Sequence, residues 1–451
     1  MPTTKISTQG YIDGITRRTA GGIIAGASLQ SIVSPSVMAA PAASRWPRDF
    51  LWGVATAGHQ IEGNNTSSDY WVLEHIEGTN FKEPSGDACD SWNRWREDVA
   101  IIKSLGLGCY RFSIEWARIE PERGHISYAA LAHYKALCVA LRAANVVPIV
   151  TFHHFVSPWW IAGQGGWENP QTADDFARYC EVVTRYLGEH IGFACTLNEP
   201  NAQVNSYIVR GMKPYQGEEI IIARAARAIG SDRFGSYFLG DSLKVRDVCI
   251  LAHKKGRDAI KSVRPDLKVG MTLALQDLVK GSEDRGLYQQ MFDNARAPFY
   301  QACTNDDFIG VQPYMRLLTG VGGYMPAPAG VIKNHANLDV SPDVIAAVVR
   351  EVHANCRALI MITEHGIDTE NDALRERHLT ESLTHLNATM ATGINVLGYI
   401  HWSLMDNFEW SSGYRPKFGL YSVDRQTFQR TAKPSAARFK ALVARARQGR
   451  E

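Results

Sequence analysis

Eight short apolar runs with the composition of buried β-strands recur along this chain of 451 residues, and segments with helical periodicity separate them. The runs read FLWGVATA, CYRFSIEW, VVPIVTFHH, FACTLNE, KVGMTLAL, DFIGVQPY, LIMITEHG and VLGYIHWSL. Because parallel neighbours need a crossover connection, usually a helix, the repeated alternation favours a parallel sheet closed into a barrel. Strands buried on both faces explain the nearly continuous apolar character. We therefore expect an α/β fold, a (β/α)8 TIM barrel, as a single domain over residues 45–451.

Two intervening segments show the helical pattern clearly. In YAALAHYKALCVALRA, the side chains that share one stripe are Tyr128, Leu131, Tyr134, Leu137 and Leu141. In TADDFARYCEVVTRYLGEH, Thr172 stands where an N-cap is expected, and aspartates follow in the first turn. Both segments are expected to pack as helices on the outside of the barrel.

The first 44 residues differ in composition from the rest of the chain. Arg17 and Arg18 precede a weakly apolar, Gly- and Ala-rich stretch, and the small residues of SPSVMAAPAAS follow. This order is typical of an export signal, and the arginine pair is typical of the twin-arginine (Tat) pathway; the alternative is a tail with a chance arginine pair. The stretch is too short and glycine-rich to predict a transmembrane anchor. We expect a periplasmic or secreted protein that starts, once mature, between Ala40 and Ser44.

The remaining composition excludes several classes of partner. A formal net charge of +2 gives no reason to expect nucleic acid or an anionic membrane. The eight cysteines are irregularly spaced without a CxxC pair, which argues against a zinc or redox site and leaves disulfides open. No GxGxxG or phosphate-binding loop follows a strand, so no nucleotide cofactor is expected. His153 and His154 are neighbours on a strand and face opposite ways, so they cannot hold one metal together.

Two of the eight runs end on a carboxylate. Glu199 closes the fourth run, in CTLNEP, and Glu364 closes the seventh, in LIMITEHG. The carboxyl ends of the strands of a (β/α)8 barrel surround one pocket, so the two carboxylates are expected to share a site. Two carboxylates facing one cavity suit glycoside hydrolysis. Carboxyl groups about 5 to 5.5 Å apart would retain the anomeric configuration and groups roughly 6.5 to 9.5 Å apart would invert it, a choice the spacing along the chain leaves open.

Other strand ends carry hydrogen-bonding side chains, which core packing alone explains poorly. They are Gln60, Arg111, His154, Tyr314 and Trp402. Arg111 is expected to keep one carboxylate ionised, and that anion is expected to raise the pKa of the other, leaving it protonated as an acid. Asn198 is expected to bind a sugar hydroxyl, and Trp402 and Trp410 are expected to stack on sugar faces.

Dense motifs make the chain resemble the family 1 glycoside hydrolases, the β-glucosidase and β-galactosidase family, from about Trp46 to the C-terminal helix. The motifs are FLWGVATAGHQIEG, REDVAIIKSLGLGCYRFSIEWARI, PIVTFHH, GGWENP, TLNEP, ITEHG and HWSLMDNFEWSSGYRPKFGLYSVD. The resemblance implies a retaining double displacement on terminal β-D-glucosyl, galactosyl or fucosyl residues, with no cofactor and no metal. The implied substrate is a small β-glycoside or a short oligosaccharide.

The resemblance also implies roles for individual residues. Glu364 matches the nucleophile, and Glu199 matches the acid/base. Arg111 and Tyr314 match the pair that positions and tunes the nucleophile, and Trp402 matches the platform under the sugar. The residues that match those bonding the non-reducing sugar are Gln60, His154, Asn198, Glu409 and Trp410. Glu409 argues against 6-phosphosugars, because a carboxylate repels a phosphate.

The chain departs from the family pattern at six positions, which weakens the case for glucose and leaves both carboxylates in place. These are Phe155 for Trp, Val156 for Asp, Gln312 and Pro313 for Asn-Tyr, His365 for Asn, and Lys417 for Arg. A non-catalytic sugar-binding protein is expected to have lost a carboxylate. A 6-phospho-β-glycosidase is disfavoured by Glu409 and by the export signal. A transglycosidase would use the same site and stays open, as does the oligomeric state.

The leaving-group side is expected in the loops that follow strands, because such loops vary most. Candidates are KPYQGEE, TGVGGYMPAPAG, and GSDRFGSYF with its aromatic residues Phe234, Tyr237 and Phe238. Those aromatics would serve equally well in packing the loops together.

Overall fold

The computed structural model describes residues 46–334 and 336–449, so the expected export signal lies outside the described part of the chain. Eight parallel strands close into a barrel. In chain order they are β1 (Leu51–Ala55), β2 (Cys109–Ser113), β3 (Val147–His153), β4 (Phe193–Asn198), β5 (Lys268–Ala274), β6 (Phe308–Gln312), β7 (Leu359–Ile362) and β8 (Val396–Trp402). Each strand lies within one of the eight apolar runs, and the expected (β/α)8 barrel is confirmed.

The strands follow one another around the ring, and β8 closes onto β1. Two irregularities interrupt the register. The pairing of β4 with β5 shifts between Cys195 and Asn198, and the pairing of β7 with β8 also shifts. A bulge re-aims the side chains that follow it, and bulges are frequent beside active sites. Here they occur in the two strands that lead into Glu199 and Glu364.

Helices cover the outside of the barrel and the connections. The α-helices are Gly58–Ile61, Asp69–His75, Ser91–Ser104, Trp116–Ile119, Tyr128–Ala143, Trp159–Ala162, Gln171–Leu187, Ala202–Val209, Glu218–Ala228, Ser242–Val263, Leu287–Ala295, Ala297–Ala302, Val344–Asn355, Asp372–Met390 and Pro434–Arg447. Two small sheets lie in the connections, one of Asp277–Lys280, Arg316–Gly320 and Gly323–Tyr324, the other of Tyr421–Val423 and Arg430–Ala432. Within the described residues, no helix is long and apolar enough to cross a membrane.

The two helical segments read from the sequence form, with two differences. Tyr128, placed on the buried stripe, begins its helix at the surface and is 68% exposed, whereas the other stripe residues are buried. Thr172 is not an N-cap: the helix starts at Gln171, and the Thr172 hydroxyl donates instead to the carbonyl of Gly166 in the preceding turn.

Side chains inside the barrel form layers, as expected for this fold. The lower layer is apolar and includes Ala55, Cys109, Ile149, Cys195, Phe308, Met361 and Ile400, from seven different strands. Two residues further along β2 and β3, the same inward face carries Arg111 and Thr151, whose side chains are hydrogen-bonded at 3.0 Å. A polar layer therefore lies above an apolar one, at the carboxyl ends of the strands. All eight cysteines are buried, and none forms a disulfide.

Candidate active site

A cavity of about 380 Å³ opens at the carboxyl ends of the strands. This volume falls within the usual range for small-molecule sites. Nine of the ten candidate catalytic and sugar-binding residues line it: Gln60, His154, Asn198, Glu199, Tyr314, Glu364, Trp402, Glu409 and Trp410. The tenth, Arg111, lies beneath the cavity and is bonded to two of these residues. Residues separated by up to 350 positions thus meet at one site.

Glu364 is held on both of its oxygens. Arg111 Nη1 donates to Oε1 at 2.5 Å, and the Tyr314 hydroxyl donates to Oε2 at 2.8 Å. Burial raises the pKa of Glu364, and both donors oppose that rise because they stabilise the ionised form. The carboxylate is therefore fixed in position with its charge compensated by a buried cation.

Arg111 also fixes the amide of Asn198. The Asn198 Oδ1 atom accepts from Arg111 Nη2 at 2.5 Å, from Gln312 Nε2 at 2.9 Å and from Thr272 Oγ1 at 2.9 Å. With its oxygen occupied by three donors, the amide presents its Nδ2 group to the other side, 3.2 Å from His154 Nε2. The one side-chain group of Asn198 available to a ligand is thus a donor.

Glu199 contrasts with Glu364. No hydrogen bond to its carboxylate is formed within the described part of the chain. Burial and, next, the negative charge of Glu364 raise the pKa of Glu199 well above its usual range, against the opposing charge of Arg111. Of the two carboxyl groups, Glu199 is therefore the one on which a proton is more strongly favoured, beside a partner whose negative charge Arg111 balances.

The backbone explains how Asn198 and Glu199 both reach the cavity, although adjacent side chains of a strand face opposite ways. Glu199 adopts φ +48°, in the left-handed region, so the chain leaves the strand direction at this residue. Its N–H donates to the Thr272 carbonyl at 2.8 Å. Asn201 anchors the turn after Pro200 through bonds with the backbone of Ala274 in both directions.

The far side of the cavity is lined by polar and aromatic groups. Gln60 Nε2 donates to the Phe408 carbonyl at 2.7 Å, and Trp402 Nε1 donates to Glu409 Oε1 at 3.3 Å. The Gln60 Oε1 and His154 Nδ1 atoms are buried and have no hydrogen-bond partner among the described residues. Burial lowers the pKa of His154 well below its usual range, so its ring is neutral. Buried polar atoms of this kind are normally satisfied, which points to a polar ligand.

Comparison with known families decides the classification. The model of the family described as "Glycosyl hydrolase family 1" matches residues 42–294 and 336–448, most of the chain.

The chain belongs to glycosyl hydrolase family 1.

Named relatives and solved structures agree with this family 1 assignment. The β-glucosidase of an Agrobacterium species is 29% identical over 89% of this chain and 96% of its own length. β-Glucosidase A of Thermotoga maritima is 27% identical over 88% and 98%. The structure of β-glycosidase BGL167 superposes with a TM-score of 0.86 at 44% identity, covering 90% of this chain and 98% of that one. The chain is therefore a glycoside hydrolase of the β-glycosidase class.

Sequence reasoning did not identify all of the supporting residues of this family 1 site. Thr272 holds the Asn198 amide together with Gln312, which the sequence had marked only as a departure from the family pattern, and the Tyr237 hydroxyl donates to the Asn198 carbonyl at 3.0 Å. Thr272 left a signal, because it is a polar residue inside the apolar run KVGMTLAL, on the inward face of β5. Tyr237 was named from the sequence only as a candidate for the leaving-group loops, and its bond to Asn198 was not predicted, since its loop gives no register.

The departures from the family pattern mostly lie off the cavity. His365 follows Glu364, but its Nδ1 atom contacts the Tyr399 hydroxyl at 3.0 Å, away from the cavity. Lys417 donates to the Tyr414 carbonyl at 2.7 Å. Phe155 does line the cavity, at φ +70°.

The nucleophile motif ITEHG ends on Gly366, which lines the cavity. This position has no room for a side chain, because a Cβ would lie 2.0 Å from the Trp402 carbonyl oxygen.

The candidate leaving-group loops contribute only in part. Tyr215 and Phe238 line the cavity. Phe234 and Tyr237 are buried in loop packing, and the segment TGVGGYMPAPAG is absent from the described lining.

One cluster outside the cavity has the residue types of a metal site. His253, Cys303 and Asp306 are buried, with potential ligand atoms within 4.8 Å of one another. Asp306 already pairs with Arg257 at 3.1 Å, and His253 Nδ1 lies 2.8 Å from the Thr196 hydroxyl. We assign no cofactor to this cluster, because its charged groups already have protein partners.

Proposed function

We propose that this family 1 enzyme is a retaining, exo-acting β-glycosidase that removes terminal β-D-glucosyl, galactosyl or fucosyl residues. The observation that carries the proposal is the asymmetry of the two carboxyl groups. Glu364 accepts hydrogen bonds from Arg111 and Tyr314, which favour its ionised form, whereas Glu199 has no such donor within the described residues and its pKa is raised well above the usual range. A charged nucleophile beside a neutral acid is the resting state that a double displacement needs.

In the first step, Glu364 attacks the anomeric carbon and the bond to the leaving-group oxygen breaks. Glu199 gives its proton to that oxygen, so the leaving group departs as a neutral alcohol. Arg111, which is buried in the barrel, and Tyr314, which lines the cavity, each hold one oxygen of Glu364 and so orient its carboxylate for attack. A glycosyl ester of Glu364 forms.

In the second step, Glu199 acts as a base. Esterification removes the negative charge of Glu364, which was one of the causes that raised the pKa of Glu199. Glu199 can then remain ionised, take a proton from water and direct the hydroxyl oxygen onto the anomeric carbon. The ester bond breaks, Glu364 leaves as a carboxylate, and two inversions give net retention.

The polar groups on the far side of the cavity favour a neutral hexose as the sugar that binds there. Gln60 and His154 offer buried polar atoms without protein partners, and Asn198 offers a donor. Trp402 provides the apolar face on which a sugar ring stacks. A 6-phosphate directed at Glu409 would be buried beside a carboxyl group, which disfavours the phosphosugar alternative.

Azide rescue tests the two assigned roles separately, with 4-nitrophenyl β-D-glucoside and β-D-galactoside as substrates. Glu364→Gly should be inactive, and azide should restore release of nitrophenol with an α-glycosyl azide as product. Glu199→Ala should stall after the first step, and azide should then give the β-glycosyl azide. Glu122→Gly, at an exposed glutamate, is the matched control and should behave as wild type.

Full activity of Glu364→Gly would overturn the assignment of the nucleophile, and exchanged azide configurations would exchange the two roles. If wild type turns over no β-glycoside, the hydrolase proposal fails. Sugar acceptors added in place of azide separate the transglycosidase alternative: their glycosides would then exceed free sugar among the products.

We also propose that residues 1–44 direct export to the periplasm or medium. The arginine pair Arg17 and Arg18 and the small residues before Ser44 support this. Replacing both arginines by lysine should leave the protein in the cytoplasm of a host with the Tat pathway. Normal appearance of the double variant in the periplasm would contradict it.

A further inference from the structure

The leaving group must pass Glu199, because this residue protonates the glycosidic oxygen. Apolar residues from the part of the chain that follows Glu199 line the same cavity and are the candidates for contact with the leaving group. Tyr215, Ile221 and Phe238 belong to this part of the chain and line the cavity. Tyr215 and Phe238 are only half-buried, so apolar ring surface faces the cavity. Phe238 is held in place by Phe155, with ring centroids 4.7 Å apart.

A second apolar wall follows Tyr314. Met315, the next residue, lines the cavity and is half-buried. Ala336 and Leu338 extend this wall. Met315 lies in the stretch between residues 294 and 336 that the family model does not match, whereas Ala336 and Leu338 lie within the matched residues.

Some polar groups of the same walls already form hydrogen bonds with the protein backbone. Asn334 Oδ1 accepts the backbone N–H groups of Ala336 and Leu338 at 3.0 and 3.1 Å. Arg210 Nε donates to the Lys213 carbonyl at 3.2 Å. A second sugar unit carries a hydroxyl on nearly every carbon, and burying hydroxyls against apolar walls without partners costs free energy. An apolar group of similar size would instead gain free energy by covering these side chains.

The geometry points to a leaving-group site for bulky apolar alcohols, so that alkyl, aryl or other lipophilic β-glycosides are better substrates than oligosaccharides. This inference rests on the proposed function, because it assumes that Glu199 protonates the leaving group. The observation that carries it does not depend on that assumption: half-buried apolar side chains from two parts of the chain, Phe238 and Met315 among them, line the catalytic cavity.

A series of alkyl β-D-glucosides tests the inference without changing the chemistry. Methyl, butyl, hexyl and octyl glucosides have alcohols of similar acidity as leaving groups, so differences in kcat/KM report contact with the chain. Burial of a methylene is worth about 0.8 kcal/mol, so kcat/KM should rise roughly two- to fourfold for each of the first few added methylenes. All concentrations stay below those at which the longer glucosides form micelles. Cellobiose and cellotriose are assayed beside them and should be poorer than octyl glucoside.

Met315→Gln keeps the length of the side chain and adds an amide to the wall. It should flatten the dependence of kcat/KM on chain length. Met212→Gln is the matched control, because Met212 is exposed and absent from the cavity lining, and it should preserve the full dependence. Circular dichroism and thermal unfolding establish that both variants fold.

The outcomes separate the two proposals. A flat or falling dependence on chain length in wild type, with cellotriose better than octyl glucoside, would overturn the apolar leaving-group site while leaving the β-glycosidase function intact. An unchanged slope in Met315→Gln would remove that wall from the site. Failure to turn over every β-glycoside, methyl and nitrophenyl glucosides included, would instead overturn the proposed function.

Discussion

Replacing Tyr314 by phenylalanine removes a single oxygen from the candidate site. The Tyr314 hydroxyl donates to Glu364 Oε2 at 2.8 Å, and the remaining ring stays packed against Phe418. This hydrogen bond favours the ionised form of Glu364, so its loss raises the pKa of that carboxyl group. Below the new pKa, Glu364 is protonated and cannot attack.

The size of the effect follows from the energy of the bond. A hydrogen bond to a charged group is worth about 1.5 to 3 kcal/mol, and one pKa unit corresponds to about 1.36 kcal/mol. On the acidic side of the pH profile, kcat/KM falls as Glu364 becomes protonated. This acidic limb should therefore move to higher pH by about one to two pH units. Arg111 keeps its own bond to Glu364, so the variant should still be active above the limb.

The assay is the pH dependence of kcat/KM for 4-nitrophenyl β-D-glucoside, because this parameter reports the ionisation of the free enzyme. Tyr215→Phe serves as matched control, since it removes a hydroxyl from the same cavity that has no bond to Glu364, and its acidic limb should stay in place. An acidic limb of Tyr314→Phe that superimposes on wild type would refute the assignment of this limb to Glu364.

Three further changes probe other parts of the site. Thr272→Val removes one of the three donors to Asn198 Oδ1 and should lower kcat/KM roughly two- to tenfold in a folded protein; unchanged kinetics would show that the amide needs no such support. Glu409→Gln should lower kcat/KM for nitrophenyl glucoside by about ten- to a hundredfold if this carboxyl group binds sugar hydroxyls, and equal values would remove it from the sugar site. Gly366→Ala places a Cβ 2.0 Å from a carbonyl oxygen and should cost about 1 to 3 kcal/mol in urea unfolding, whereas Gly323→Ala, with its nearest atom at 4.0 Å, should not. Equal stabilities of the two alanine variants would contradict the packing argument.

The fold and most members of the site were readable from the sequence for one physical reason, whereas Glu409, seven positions beyond the last strand of the barrel, was assigned to the site only through the family resemblance. Each strand of the barrel is a short apolar run, and the site residues stand where these runs end, as Glu199 and Glu364 do. Position along the chain then gives position in space, because the strands are parallel and closed into a ring.

Features that depend on backbone detail were not readable. The left-handed φ of Glu199 brings its side chain and that of Asn198 into one cavity, whereas strand alternation alone would have placed them on opposite faces.

The loops were the least predictable part of the structure. Phe234 and Phe238 are four positions apart in one loop, and only Phe238 lines the cavity. Long connections have no period that fixes which side chains face inward.

The stereochemical course of hydrolysis tests the double displacement most directly. Proton NMR of the anomeric region can be recorded during cleavage of 4-nitrophenyl β-D-glucoside. It distinguishes the glucose anomer that the enzyme releases first from the other anomer, which forms later by slow mutarotation. Attack by Glu364, followed by water activated at Glu199, predicts that β-glucose appears first and that α-glucose grows in only later. Initial release of α-glucose would mean a single displacement by water, which would contradict the assigned role of Glu364.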